Sequence, residues 1–192
     1  MEFLKAKIRT EGHVIGNHIL KVDAFLNHQL DIGLLNEMGK VFFERFKNEG
    51  ITKILTIEAS GIAIASIAAQ YFNVPVVFAK KAQSLNLDGD MLTTKVHSYT
   101  KNKTYDIMVA KRFIDKSDVM LIMDDFLAEG SACRGLIEIT EMAGAKLGGI
   151  GIAIEKGFQD GGKELRARNL PLYSLAVVEK MSDTDGVTFK QD

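Results

Sequence analysis

The sequence predicts an α/β domain in which a parallel sheet is flanked by helices. Three observations predict it. A β-prone run, a loop, a small-residue helix and a second β-prone run follow in close order over residues 51–79. Further short β-prone runs, two of them separated by a helical stretch, occupy the second half of the chain. Between them, from Lys80 to Tyr105, the periodicity fails in a polar excursion, as it does in a segment that leaves the layers of a sheet domain.

Taken in order, Leu34, Leu35, Met38, Val41, Phe42 and Phe46 recur at three- and four-residue steps, marking an amphipathic helix that stops near Asn48 and Gly50. Residues 51–57 then read as a strand, 62–72 as a helix and 74–79 as a strand. The stretch between Lys80 and Tyr105 is rich in Lys, Asp, Asn, Ser, Thr and Gly. A binding loop or lid fits it, and so does a β-hairpin flap, because residues 92–96 and 105–109 both have strand propensity. Residues 106–110, 119–123, 149–154 and 172–178 are the later β-prone runs, and 132–143 the helix. No repeat or linker divides the chain, so residues 1–192 read as a single domain.

A chain of 192 residues buries a sufficient core without disulfides, and its 46% hydrophobic and 26% charged content excludes disorder. The formal charge of −1 offers no general attraction to nucleic acid or anionic lipid, so a polyanion must be held by a local set of donors. Cys133 is the one cysteine, which excludes an intrachain disulfide and a cysteine-based zinc cluster and fits the cytoplasm. No apolar run approaches the roughly 20 residues needed to span a bilayer, and neither membrane nor nucleic acid is expected as a partner. The histidines His13, His18, His28 and His97 lack metal-ligand spacing, and no protein metal site is expected.

The most informative stretch runs from Val119 to Ala132. Apolar residues lead into Asp124 and Asp125, and the short loop Ala128, Glu129, Gly130, Ser131, Ala132 then enters a helix. Adjacent buried carboxylates are costly unless hydroxyls, a cation or backbone donors satisfy them. The free N–H groups at a helix start attract anions. Together these features describe a site for a ribose phosphate at the carboxyl end of a strand. On pattern alone, a turn that begins at the acids and a Ser131 helix cap is the competing reading. A second junction, Glu58, Ala59, Ser60, Gly61, suits a pyrophosphate or an ordinary capped turn. Lys80, Lys81, Lys95, Lys101, Lys103 and Lys111 lie in or beside the excursion, and Lys156 follows the run 149–154.

The stretch resembles the signature by which type I phosphoribosyltransferases bind 5-phosphoribosyl pyrophosphate (PRPP): an apolar strand, two acids and a short small-residue loop. It departs at Glu129, since many members carry Thr-Gly where this chain has Glu129-Gly130; the loop is similar to that of the xanthine branch, which often carries Ala-Asn-Gly. The resemblance implies the type I phosphoribosyltransferase fold, with a flexible loop and a small hood from about residues 1–35 and 155–192. It implies that Asp124 and Asp125 face the ribose hydroxyls and that the amides of Ala128, Glu129, Gly130, Ser131 and Ala132 hold the 5-phosphate, with the Glu129 carboxylate turned away. Ala59, Ser60 and Gly61 are expected to hold the pyrophosphate, with Lys80 or Lys81 neutralising it as it leaves. Lys156 is expected to contact a purine 6-oxo group, Phe158 to stack on the base, Leu20 to pack on it and Asn27 to meet its 2-oxo edge. Xanthine and PRPP are the implied substrates, Mg2+ bound through PRPP the cofactor, and a homodimer the assembly. Guanine or hypoxanthine would also offer a 6-oxo group. A PRPP-sensing regulator of the same fold is the alternative from another class, but the chain has no room for an added winged helix, and its charge disfavours an RNA-binding role.

Overall fold

The computed structural model describes residues 1–81, 89–98 and 103–191. Its elements are α1 (Glu2–Glu11), β1 (His13–Ile15), β2 (Ile19–Lys21), a π-helical turn (Asp23–Asn27), α2 (Ile32–Phe46), β3 (Lys53–Ile57), α3 (Ser60–Phe72) and β4 (Val76–Ala79). There follow β5 (Met91–Ser98), β6 (Lys103–Ala110), β7 (Val119–Leu127), α4 (Ser131–Met142), β8 (Lys146–Lys156), α5 (Gly161–Ala167), β9 (Leu172–Ser182) and β10 (Gly186–Phe189).

Alternation along the strands builds two cores from one sheet. In β7, Leu121 and Met123 pack on one side with Phe42, Phe46 and Ala65, while Met120 and Ile122 pack on the other with Leu136 and Ile139. Both faces are covered, so β7 and β8 read in the sequence as nearly continuous apolar runs. Gly149 and Gly151 of β8 leave the space that α2 fills: a Cβ at Gly151 would stand 2.9 Å from the ring of Phe42, and one at Gly149 would meet that of Phe46. α2 begins where the Asp31 side chain accepts a hydrogen bond from the Leu34 amide at 3.0 Å.

The strands lie in the order β10, β9, β8, β7, β3, β4, parallel except for β10, which pairs antiparallel with β9. From β3 the chain moves outward to β4, and β7 then takes the opposite side of β3. α3 packs into one core and α4 into the other. The carboxyl ends of β3 and β7 therefore diverge around a crevice, where open α/β sheets bind ligands.

The hairpin reading of the polar excursion holds for the described residues: β5 and β6 pair antiparallel from Met91 opposite Ala110 to Ser98 opposite Lys103. Residues 106–110 thus belong to this separate two-stranded sheet and not to the main one. Leu92, Val96, Ile107 and Val109 bury against α4, where Gly135 makes room for Val96 and Ile107. Lys101 lies outside the described residues.

Beyond the elements expected from periodicity, the structure adds α1, the β1–β2 hairpin, the π-helical turn, α5 and β10. The amino and carboxyl segments come together here. The amino group of Met1 donates to the Leu175 carbonyl at 2.7 Å, and the Asp183 amide donates to the Gly16 carbonyl at 3.1 Å. No helix among the described residues is long and apolar enough to cross a membrane.

Candidate active site

Two adjoining cavities occupy the crevice. The smaller, about 110 Å³, is lined by Glu58, Ala59, Ser60, Lys81, Tyr105, Asp124, Asp125 and Ala132. β3 delivers the turn at Glu58 and Ala59, joined by a cis peptide bond, and α3 starts at Ser60. β7 delivers the acids, and its ladder with β8 continues past them to Leu127, so they sit within the strand instead of ending it. The extension occurs because Phe126 and Leu127 keep pairing with Ile154 and Glu155.

Asp124 is buried, and its carboxyl is pushed well above the ordinary carboxylate range, first by burial and then by the neighbouring charge of Asp125. The Asp125 amide donates to Asp124 Oδ1 at 2.9 Å. Gly61 allows α3 to start against this carboxyl, since a Cβ there would stand 3.1 Å from Asp124 Oδ1 and would overlap Thr56 Oγ1. Thr56 Oγ1 is buried with no hydrogen-bond partner among the described residues. Two adjacent carboxyl groups lining a small cavity offer acceptors that the hydroxyls of a ligand would satisfy.

Of the two lysines at the end of β4, the structure brings Lys81 to the acids: it lines this cavity, its amide donates to Glu58 Oε1 at 2.7 Å, and its ammonium lies 5.6 Å from the ring centroid of Tyr105. Lys80 instead bridges to Met108 and lines a cavity at the sheet edge. Tyr105 is half-buried, and its hydroxyl is pushed up by burial and by the charge of Asp124.

The larger cleft, about 320 Å³, is lined by residues 126–133, Lys156, Gln159, His18, Val96, His97 and Tyr105. The Ala128–Ala132 loop therefore faces it, with Gly130 in the left-handed region at φ +78°, a conformation that a glycine adopts at little cost. Arg134, one turn into α4, returns its guanidinium to the loop: Nη1 donates to the Glu129 carbonyl at 2.9 Å and Nη2 to Ser131 Oγ at 3.1 Å.

Lys156 reaches the same cleft from the end of β8. Its Nζ donates to the His18 carbonyl at 2.6 Å, lies 5.9 Å from the ring centroid of Phe126, and is shifted down by burial. Phe126 lines this cleft together with Tyr105, and Phe158 does not. β8 ends at Lys156, Gly157 turns closely against Val177 and Val178, and Phe158 lines a different cavity with Asn17 and Met181. Asn27 Nδ2 donates to Asp125 Oδ2 at 3.3 Å, which brings the amino-terminal segment to the acidic pair. Leu20 is buried in the core, and its neighbour in the hairpin, His18, lines the cleft. Sequence reasoning passed over Phe126, Tyr105 and Arg134. Phe126 had a signal in directly following the acids, whereas the others depend on tertiary placement.

This arrangement, an acidic pair and a phosphate-type loop at the switch point of a parallel sheet with a hairpin and a hood beside it, is that of a type I phosphoribosyltransferase. The fold is similar to that of adenine phosphoribosyltransferase from Giardia lamblia, with a TM-score of 0.75 and 25% identity over 90% of this chain and 96% of that one. The enzyme of the same name from Rhodothermus marinus gives a TM-score of 0.73 and 21% identity over 93% and 100%. No protein-family model matches the chain. Among curated proteins, xanthine phosphoribosyltransferase of Ruminiclostridium cellulolyticum is 61% identical over 95% of this chain and 96% of its own length. That of Lachnoclostridium phytofermentans is 57% identical over the full length of both, and that of Bifidobacterium longum 56% over 99% and 100%. The chain belongs to the xanthine phosphoribosyltransferase family.

Proposed function

We propose that this protein transfers the 5-phosphoribosyl group of PRPP to N9 of xanthine, forming xanthosine 5′-phosphate and pyrophosphate. The observation that carries the proposal is convergence: the acidic pair and Lys81 share one cavity, and Lys156 with the phosphate loop shares the adjoining cleft.

In this reading the loop amides of Ala128, Glu129, Gly130, Ser131 and Ala132 hold the 5-phosphate, and Asp124 and Asp125 receive the ribose hydroxyls. Ala59, Ser60 and Gly61 hold the pyrophosphate, whose charge Lys81 offsets as the C1′–O bond breaks and the N9–C1′ bond forms. Lys156 donates to the 6-oxo group of the base, and an ammonium donor there favours an oxopurine over an aminopurine. Phe126 takes the stacking role and Asn27 the edge of the base pocket, while Leu20, buried in the core, holds the hairpin that brings His18 to the cleft. The hood comprises about residues 1–35 and 155–192, a grouping supported by the bonds from Met1, Asp183 and Lys156 that join the two segments. Catalysis comes chiefly from positioning two substrates in a dry site.

Among the described residues no three His, Cys, Asp or Glu side chains come together as a metal site; the oxygen donors would be those of PRPP itself, with the Asp125 carboxylate beside them in the cavity. That donor set fits Mg2+ carried in on PRPP oxygens, where the ion would neutralise charge on the pyrophosphate. Membership of the family extends the proposal to a homodimer acting in the cytoplasm, which light scattering and cell fractionation would check.

The decisive assay follows nucleotide formation from PRPP, Mg2+ and each of xanthine, guanine, hypoxanthine and adenine. Xanthine is expected to turn over fastest. Lack of turnover with every base rejects the transferase reading, and a preference for guanine or hypoxanthine rejects the base assignment.

A further inference from the structure

α5 has seven residues and contributes none of the expected ligand-binding groups, yet it touches the phosphate loop by two independent routes. The first is backbone. The Gly161 amide donates to the Ala128 carbonyl at 3.1 Å, and a Cβ at Gly161 would stand 2.7 Å from the Gly130 nitrogen and 2.9 Å from the Glu129 carbonyl carbon. The second is ionic. Glu164 Oε2 accepts from Arg134 Nη1 at 2.6 Å, and the same guanidinium holds the Glu129 carbonyl and Ser131 Oγ.

The helix is itself fastened from beneath. Glu155, 2% exposed, accepts from Arg166 through both carboxylate oxygens at 2.6 and 2.8 Å, and from Ser174 at 2.5 Å. Burial alone would push its carboxyl up, but the bonds from Arg166 and Ser174 outweigh burial and hold it below the ordinary range. Gly162 permits this, because a Cβ there would overlap Glu155 Oε1. Glu155 immediately precedes Lys156, so the strand end that reaches toward the base also anchors the helix that holds the phosphate loop.

We propose that α5 is a bracket for the phosphate loop, in which Arg134 and Glu164 are positioning residues and the Glu155–Arg166 pair sets the helix that carries Glu164 and Gly161. Arg134 holds the Glu129 carbonyl on the side away from the loop's amides and fills an acceptor position of Ser131, which leaves that hydroxyl's proton for the ligand. Glu164 orients the guanidinium. The inference rests on the loop being the 5-phosphate site.

Two variants test it with ribose 5-phosphate as the probe in titration calorimetry, beside steady-state kinetics and thermal melting. Simple electrostatics predicts that Glu164→Gln, by removing a negative charge near an anion site, tightens phosphate binding. The bracket predicts the reverse. Glu164→Gln is expected to weaken ribose 5-phosphate binding about threefold and Arg134→Gln about tenfold, with the KM for PRPP rising in step and the KM for xanthine within about twofold. Arg134→Lys, which keeps the charge but lacks the fork, is expected to recover only part of the loss. The double variant is expected to lose no more than Arg134→Gln alone, since both changes remove one linkage. Unchanged or tighter binding in folded Glu164→Gln overturns the inference. Failure of the unaltered protein to bind ribose 5-phosphate overturns instead the assignment of the loop on which the inference rests.

Discussion

Replacing Gly161 by Ala adds one methyl group against the backbone of the phosphate loop, and its effect can be sized from the structure. The nearest atoms are the Ala128 carbonyl oxygen, the Gly130 nitrogen at 2.7 Å and the Glu129 carbonyl carbon at 2.9 Å. All are main-chain atoms, so no rotamer change relieves the clash. Bringing Gly130 N to an ordinary 3.4 Å contact requires the loop to retreat by about 0.7 Å. Overpacking of this kind costs about 1–3 kcal/mol, while the better helix propensity of Ala returns at most about 1 kcal/mol. The net loss, up to about 3 kcal/mol, is small beside the roughly 5–15 kcal/mol of a typical domain and lowers the melting temperature by no more than about 12 °C. Catalysis is more sensitive, because a displacement of about 1 Å in a substrate-holding group costs on the order of 100-fold. The kcat/KM for PRPP is expected to fall about 10- to 100-fold, with the KM for xanthine within about twofold. Melting by circular dichroism and initial rates at varied PRPP read both quantities. A lowered melting temperature with an unchanged KM for PRPP refutes the reasoning, since the loop would have moved without consequence for the ligand.

Three further outcomes follow from named side chains. Asp125→Ala is expected to abolish turnover while leaving the far-ultraviolet spectrum and melting temperature nearly unchanged, because the residue is only half-buried; retained turnover contradicts its ribose role. Lys156→Met is expected to raise the KM for xanthine at least about tenfold, as loss of a charged donor to a buried acceptor does, and to leave the KM for PRPP little affected. Equal changes in the two KM values would show that Lys156 serves the hairpin at His18 and not the base. The Cys133 thiol is pushed up to about 12 by burial and then by the charge of Asp124, so it remains neutral in the fold when the unfolded chain begins to ionise near 9. Its contribution to stability is therefore intact below that value and declines as pH rises from about 9 toward 12. Iodoacetamide at pH 8 is expected to label it rapidly in urea and slowly in buffer; equal rates contradict the burial.

Much of the architecture is legible in the chain because it rests on local rules. The three- and four-residue spacing of Leu34, Leu35, Met38, Phe42 and Phe46 marks α2, and the apolar run from Val119 marks β7, since a strand covered on both faces needs side chains that are apolar at every position. Asp124, Asp125 and the Ala128–Ala132 loop are legible for the same reason: a strand, a turn and a helix start are contiguous in sequence. The hairpin β5–β6 is half-legible. Its strands have β propensity, but its placement on α4 depends on Gly135 and on apolar contacts from another part of the chain.

The remainder required the tertiary fold. Which of two adjacent lysines meets the acids depends on strand direction at the end of β4, and the chain chooses Lys81. Whether Phe126 or Phe158 lines the cleft depends on the turn at Gly157, which takes Phe158 away. The Val119–Ala132 stretch shows its strand, acids, loop and helix start by local pattern, which fits a ribose phosphate site or a capped turn. Its support from Arg134, Gly161, Glu164 and the buried Glu155 joins residues up to about thirty positions apart, and contacts at such separations follow from packing, which no local periodicity encodes.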